Sequence, residues 1–160
     1  MLRVPDPAAT EPHVPTPDRR LTDRPVTDRP ETGPSGELTI RTIAMPRDAN
    51  ANGDIFGGWV ASQMDLAGGI CAGERSLGRV ATVAIDAMSF VRPVGVCDVL
   101  CVYTDVAQVG RTSVRVGIQA WARRRADHTV RELVTSGTFT YVAIDDQGTP
   151  RPVPGATDTG

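Results

Sequence analysis

Between Gly57 and Leu77 the apolar residues Val60, Met64, Ala67 and Cys71 recur at spacings of four, three and four, with Leu66 and Ile70 widening the stripe. That period belongs to a helix with one buried face, and no other stretch of the 160 residues carries it convincingly. Beyond Leu77 the pattern changes in kind. Four runs, "RVATVAIDAMSFVRP" (79–93), "DVLCVYTDVAQVG" (98–110), "TSVRVGIQAWARR" (112–124) and "RELVTSGTFTYVAID" (131–145), have strand character and are each bounded by a turn signal. Ahead of the helix, "ELTIRTIAM" (37–45) reads as a first strand stopped by Pro46, and "RDANANGD" as a loop. One long helix with a set of long strands predicts an α+β fold, the helix packed on one face of a mostly antiparallel sheet. In the 112–124 run Val114, Val116, Ile118 and Ala120 share a face, against Ser113, Arg115 and Gln119. In the last run strict alternation puts Leu133, Phe139 and Tyr141 on one face and Val134, Val142 and Ile144 on the other. The apolar positions left on the second face point to an interface.

All seven aromatic residues lie between Phe56 and Tyr141, whereas residues 1–37 hold eight of the thirteen prolines and no aromatic. The chain therefore divides into a disordered Pro-rich tail (1–37), one folded domain (38–154) and a flexible C-terminus (155–160). The tail has no apolar run of signal-peptide length, and no stretch is long and apolar enough for an ordinary membrane span, so a cytoplasmic protein without a membrane partner is expected. Three cysteines in apolar contexts, and histidine only at 13 and 128, give neither a disulfide framework nor a zinc spacing; no metal is expected. The formal charge of −2 and the lack of an aromatic-basic platform argue against a nucleic-acid partner. Locally, seven arginines against three aspartates between Arg79 and Arg125 make a cationic segment that either meets a phosphorylated ligand or, at "RRR" (123–125), is a solvated hairpin end.

The helix contains an anomaly. Asp65 is a lone carboxylate in an apolar segment, and Gly68, Gly69 and Gly73 occupy interior positions where each costs about 0.5–1 kcal/mol relative to alanine. Either the helix backbone approaches a sheet closely, or space is kept clear beside Asp65, whose i+3 and i+4 neighbours are Gly68 and Gly69.

The stretch "RTIAMPRDANANGDIFGGWVASQMDLAGG", with "GRVATVAIDAMSFVRPVGVCDVLCVY", "GRTSVRVGIQAW" and "FTYVAIDDQGTPRPVP", closely resembles the YciA-type acyl-CoA thioesterases of the hotdog fold over about residues 38–154. The resemblance implies a long central helix wrapped by a curved antiparallel sheet. It also implies a homodimer as the smallest active unit with sites between subunits, assembly to a homohexamer, and hydrolysis of acyl-CoA to a free acid and coenzyme A without cofactor or metal.

Thioester hydrolysis needs an activated water or carboxylate, and donors aimed at the oxygen that becomes negative. By the resemblance Asp65 is the catalytic acid of the helix, either a general base or a nucleophile forming a mixed anhydride. Gly57 and Gly58 open the helix, where up to four amides lack intrahelical partners and the macrodipole is positive, so they are the expected oxyanion donors, although a tight turn needs the same glycines. Asn50 matches an asparagine that, in related enzymes, works across the interface with the partner's helix acid, orienting water or binding the thioester carbonyl. Asp54 is expected as the helix N-cap. Arg111, Thr112 and Ser113 border the CoA groove by resemblance, with arginine suited to phosphate oxygens. Phe56 and Trp59 line the acyl end or belong to the core or an interface. A non-catalytic acyl-CoA-binding regulatory module of the same fold is the other reading, and the retained Asn50, Gly58 and Asp65 speak against it. A hotdog dehydratase would recruit a histidine, which this segment lacks.

Overall fold

The computed structural model describes residues 33–156. The strands are β1 (Glu37–Ile43), β2 (Val80–Phe90), β3 (Val99–Val109), β4 (Ser113–Arg123) and β5 (Arg131–Ala143); α1 spans Gly57–Ser76, and a short 3-10 turn, Pro46–Asp48, comes after β1. All pairs are antiparallel, in the order β1-β3-β4-β5-β2, and α1 lies against all five strands. This is the α+β arrangement expected from periodicity, with a long helix embraced by a single sheet.

The core forms where the apolar stripe of α1 meets the even-numbered face of β4. Val60, Met64 and Ala67 pack with Leu100 and Val102, with Val114, Val116, Ile118 and Ala120, and with Phe139 and Tyr141, all nearly or fully buried. A second cluster, Cys101, Tyr103 and Trp121 with Val99 and Leu133, sits on the opposite face of the sheet. Here the strict alternation expected for β5 fails. Ala120 pairs with Thr135 but Trp121 with Leu133, so Val134 is an extra residue in a bulge. One inserted residue exchanges the faces on either side of it. Val134 thereby joins Phe139 and Tyr141 in the core, and Leu133 moves to the outer cluster.

The helix ends with Leu77 in the left-handed region (φ 55°) and the Gly78 amide bonded back to the Gly73 carbonyl. A Cβ at Gly78 would meet the Arg151 guanidinium. That guanidinium donates to the Ser76 and Ile144 carbonyls (3.0 and 3.2 Å), tying the C-terminal segment over the end of α1. Ordered packing continues to Ala156, two residues past the expected domain boundary. At the other end β1 opens at Glu37, and the Ser35 amide already donates to Gln119 (3.2 Å). The remainder of the expected tail, residues 1–32, and residues 157–160 lie outside the described residues. No helix among the described residues is long and apolar enough to cross a membrane.

Much of the cationic segment is neutralised inside the fold. Asp98, nearly buried, accepts from the amides of Gly95 and Arg125 (both 2.9 Å) and from Arg124 (2.7 Å), and Arg124 also engages Glu132. Arg92 faces Glu132 at 3.5 Å and Arg115 faces Asp86 at 3.8 Å. Burial alone would raise the Asp98 carboxyl, but the two amides and the guanidinium outweigh it and hold the group below the usual carboxylate range.

A depressed carboxyl stabilises the fold fully above its unfolded value, about pH 4, and loses that contribution as pH falls through the lower folded value. Asp98→Asn is expected to cost about 2–3 kcal/mol at pH 7, with the difference from wild type narrowing in denaturant titrations as pH falls below the unfolded value. In the helix, a Cβ at Gly68 would lie 2.1 Å from the Tyr141 hydroxyl and 2.6 Å from Ile118, whereas at Gly69 the nearest atom is 4.0 Å away. Thermal melts should show Gly68→Ala destabilised by about 1–3 kcal/mol and Gly69→Ala neutral or stabilised by up to about 1 kcal/mol.

Candidate active site

Asp65 lies in the third turn of α1, half-buried, where the helix crosses the β5-β2 edge of the sheet. Thr82 of β2 donates its hydroxyl to Asp65 Oδ1 at 2.6 Å. The Tyr141 hydroxyl stands 3.3 Å from the same oxygen and 3.1 Å from the Asp65 carbonyl. Thr82 and Tyr141 are direct cross-strand partners, so neighbouring strands present both hydroxyls side by side. Asp65, Leu66, Gly69, Ile70, Thr82 and Tyr141 surround an open depression of about 410 Å³. Both readings of the helical glycines hold, at different residues: Gly68 admits the tyrosine, and Gly69 lines the space.

Burial, and then the adjacent Asp65 charge, push the Tyr141 phenol far above its ordinary pKa, so it remains a proton donor. Cys71, nearly two turns further along α1 in a separate recess with Glu37, Glu74 and Asp105, is also raised, first by burial and then by those carboxylates despite an opposing bond to Thr104. It is therefore a thiol rather than an activated nucleophile.

The start of α1 departs from expectation in an informative way. The N-cap is Phe56, with no side-chain cap, and not Asp54. Ile55 is buried and its amide is bonded to the Val94 carbonyl (3.1 Å), so the chain turns into the helix only after it. Asp54 is left two residues upstream, its backbone bridging Gly95. The first partnered amides are those of Trp59 and Val60, both on the Phe56 carbonyl. Gly57 and Gly58 thus point two amides out of the helix with no partner among the described residues. Beside them Ile55, Val60, Phe90, Val94 and Val134 line an apolar recess of about 360 Å³. Phe56 is 55% exposed, which separates it from the core, whereas Trp59 packs against the core.

Asn50 occupies the loop before this terminus. Its Oδ1 accepts from the amides of Asn52 and Asp54 (2.9 and 3.1 Å), shaping the turn and leaving Nδ2 as the available polar group. Eight residues at 1.5 Å rise separate Gly57 from Asp65, about 12 Å along the axis. The amides and the carboxylate of one chain therefore cannot meet at one carbonyl. Residues 110–113 form the β3-β4 turn, with the Gly110 amide on the Ser113 carbonyl (2.8 Å), the Thr112 carbonyl held by Ala143 and the Arg111 carbonyl by Val153. The Arg111 side chain is exposed and carries no bond among the described residues, whereas Ser113 Oγ folds over Gly110. Ser113 pairs with Val142, next to Tyr141, which brings the turn to the Asp65 end of the sheet. Among the described residues no three His, Cys, Asp or Glu side chains converge as metal ligands.

Sequence reasoning singled out Asp65 and the glycines but missed Thr82 and Tyr141. The only available signal was Gly68, whose cost to the helix implied a close neighbour without naming it.

The profile of the thioesterase superfamily matches residues 52–127. The acyl-CoA thioester hydrolase YciA of Salmonella typhimurium is 50% identical over 123 residues, which cover 76% of this chain and 92% of that protein. Among solved structures, a hexameric thioesterase from Yersinia pestis is 49% identical with a TM-score of 0.73, the match covering 77% of this chain and 99% of that one. A hexameric hotdog fold thioesterase of Campylobacter jejuni is 41% identical with a TM-score of 0.70, over 74% of this chain and 90% of that one.

Proposed function

Because the chain belongs to the acyl-CoA thioester hydrolases of the thioesterase superfamily, we propose that it hydrolyses acyl-CoA thioesters to a free carboxylic acid and coenzyme A, with Asp65 as the base that activates water. The observation that carries this reading is a half-buried carboxylate, anchored by Thr82 on one side and opening on a depression on the other. The carboxylate takes a proton from water as the water oxygen bonds to the thioester carbon. The tetrahedral intermediate then expels the thiolate, and the carboxyl proton returns to sulfur. Attack by Asp65 itself, through a mixed anhydride, would use the same position. A single turnover in oxygen-18 water bears on the routes: direct attack always labels the product acid, so unlabelled product with the label in Asp65 identifies an anhydride opened at the Asp65 carbon.

The site is composite in this proposal. Helix length keeps Gly57 and Gly58 away from Asp65 of their own chain, so the oxyanion amides and Asn50 come from one protomer and the base from its partner. The outer edge of β2 supports such pairing. It ends the sheet and exposes Val83, Ile85 and Phe90, an arrangement that invites another strand. Hexameric relatives support dimers assembling further. Asn50, with Oδ1 occupied, donates from Nδ2 to the carbonyl oxygen beside the two amides, whose position at the helix N-terminus favours developing negative charge. Coenzyme A lies along the β3-β4 turn, with the Arg111 guanidinium toward its phosphates and the turn at Thr112 and Ser113 against its pantetheine arm.

Thiol release from short to long acyl-CoAs tests the activity directly. Wild type should turn over, and folded Asp65→Asn should fall by about 100-fold or more in kcat. No release from any of them by the folded wild type would leave the acyl-CoA-binding module as the better reading. Asn50→Asp keeps the Oδ1 acceptor of the turn while removing the donor. Equal co-expression of Asn50→Asp and Asp65→Asn chains should restore about a quarter of wild-type activity, because half the dimers are mixed and each mixed dimer has one intact site. Sites within one chain would restore none. Arg111→Ala should raise KM about 5- to 10-fold with kcat within about twofold, as expected for loss of uniform binding.

A further inference from the structure

We infer that Tyr141 is a positioning residue for hydrolysis, working with its cross-strand neighbour Thr82 to hold Asp65 by Oδ1 alone and leave Oδ2 as the oxygen that faces the reactants. The inference rests on the reading of Asp65 as the base. It goes beyond that reading by assigning a role to a core tyrosine and distinct roles to the two carboxylate oxygens.

Both hydroxyls converge on one atom. Thr82 donates to Oδ1 at 2.6 Å and the Tyr141 hydroxyl stands 3.3 Å from it, while Oδ2 has no protein partner among the described residues. Because Thr82 and Tyr141 face each other across the β2-β5 ladder, their spacing is set by the sheet and not by side-chain rotamers alone. The same tyrosine hydroxyl is 3.1 Å from the Asp65 backbone carbonyl, so its single proton is shared between that carbonyl and Oδ1, on the helix turn and on the side chain it carries. A carboxylate with one oxygen engaged this way presents the other to the depression that Gly69 keeps open.

The protein gives up helix stability to admit this hydroxyl. Gly68 is fully inside α1, and a Cβ there would sit 2.1 Å from the tyrosine oxygen and 2.8 Å from the ring carbon bearing it. For packing alone, phenylalanine at 141 with a larger residue at 68 would fill the same core without a buried hydroxyl needing partners. The combination of Tyr141 and Gly68 makes sense only if the hydroxyl must reach the Asp65 turn. Held protonated by burial and by the neighbouring charge, the phenol can donate but cannot compete for the substrate proton.

The test uses the full-length chain with acyl-CoA substrate. Donors to a carboxylate favour its charged form, so Tyr141→Phe should move the acid limb of the kcat/KM profile to higher pH. It should also lower kcat about tenfold with KM within about twofold. Replacing Tyr141 by 3,5-difluorotyrosine keeps the ring in place and makes the phenol a stronger donor, so the same limb should move to lower pH. This second variant decides the matter alone if Tyr141→Phe does not fold. A merely structural tyrosine would leave both acid limbs on the wild-type curve, which overturns the inference. Asp65→Asn, run in parallel, distinguishes the failures. If it is silent while both Tyr141 variants match wild type, only the positioning role falls; if it retains more than about a tenth of wild-type kcat, the base assignment falls too.

Discussion

The distance between α1 and β5 governs the rest of the molecule, and the missing side chain at Gly68 sets that distance. A methyl group there would push the helix off Tyr141 and Ile118, opening the centre of the core where Met64 and Ala67 meet β4. Close-packed interiors respond to such a displacement by shifting whole elements. Here the shifted element would be the helix that carries both the carboxylate and, two turns earlier, the free amides. Packing and the geometry of the candidate site therefore depend on one contact, which accounts for a glycine in a position that helix propensity disfavours.

The two ends of the helix are treated in opposite ways. At the C-terminus every device closes the backbone: the left-handed Leu77, the return bond from Gly78 to Gly73, and the Arg151 guanidinium on the Ser76 carbonyl. At the N-terminus the ordinary device is withheld, with Phe56 where a capping side chain would stand and Asp54 retained upstream. Unsatisfied amides carry a cost, and among the described residues two are left beside an apolar recess. Charge is managed likewise. Arg124 and Arg92 are tied to carboxylates, so the run of arginines reads mostly as structure, and Arg111 stands apart from it at the turn nearest the Asp65 end of the sheet.

Local pattern accounted well for the elements. The helix runs from Gly57 to Ser76 where periodicity placed it, and each of the five strands lies within its expected run. The errors came where a local rule met a nonlocal constraint. Alternation in β5 misassigned Leu133 because the bulge at Val134 exists only relative to β4. Asp54 has the chemistry of an N-cap, but the burial of Ile55 delays the helix past its reach.

What the sequence determined by itself was therefore periodic or chemical: one helix, five strands, a carboxylate in an apolar stripe, glycines at a helix start, and resemblance to a family. What only the tertiary structure decided was which groups meet. Thr82 is 17 residues from Asp65 and Tyr141 is 76, and they reach the same oxygen because antiparallel pairing in one register puts them side by side beneath the helix. Register depends on bulges and on turns far along the chain, and helix height over the sheet depends on the volume of every side chain between them. Neither quantity is written in any local stretch, so the partners of Asp65 become visible only once the chain has folded.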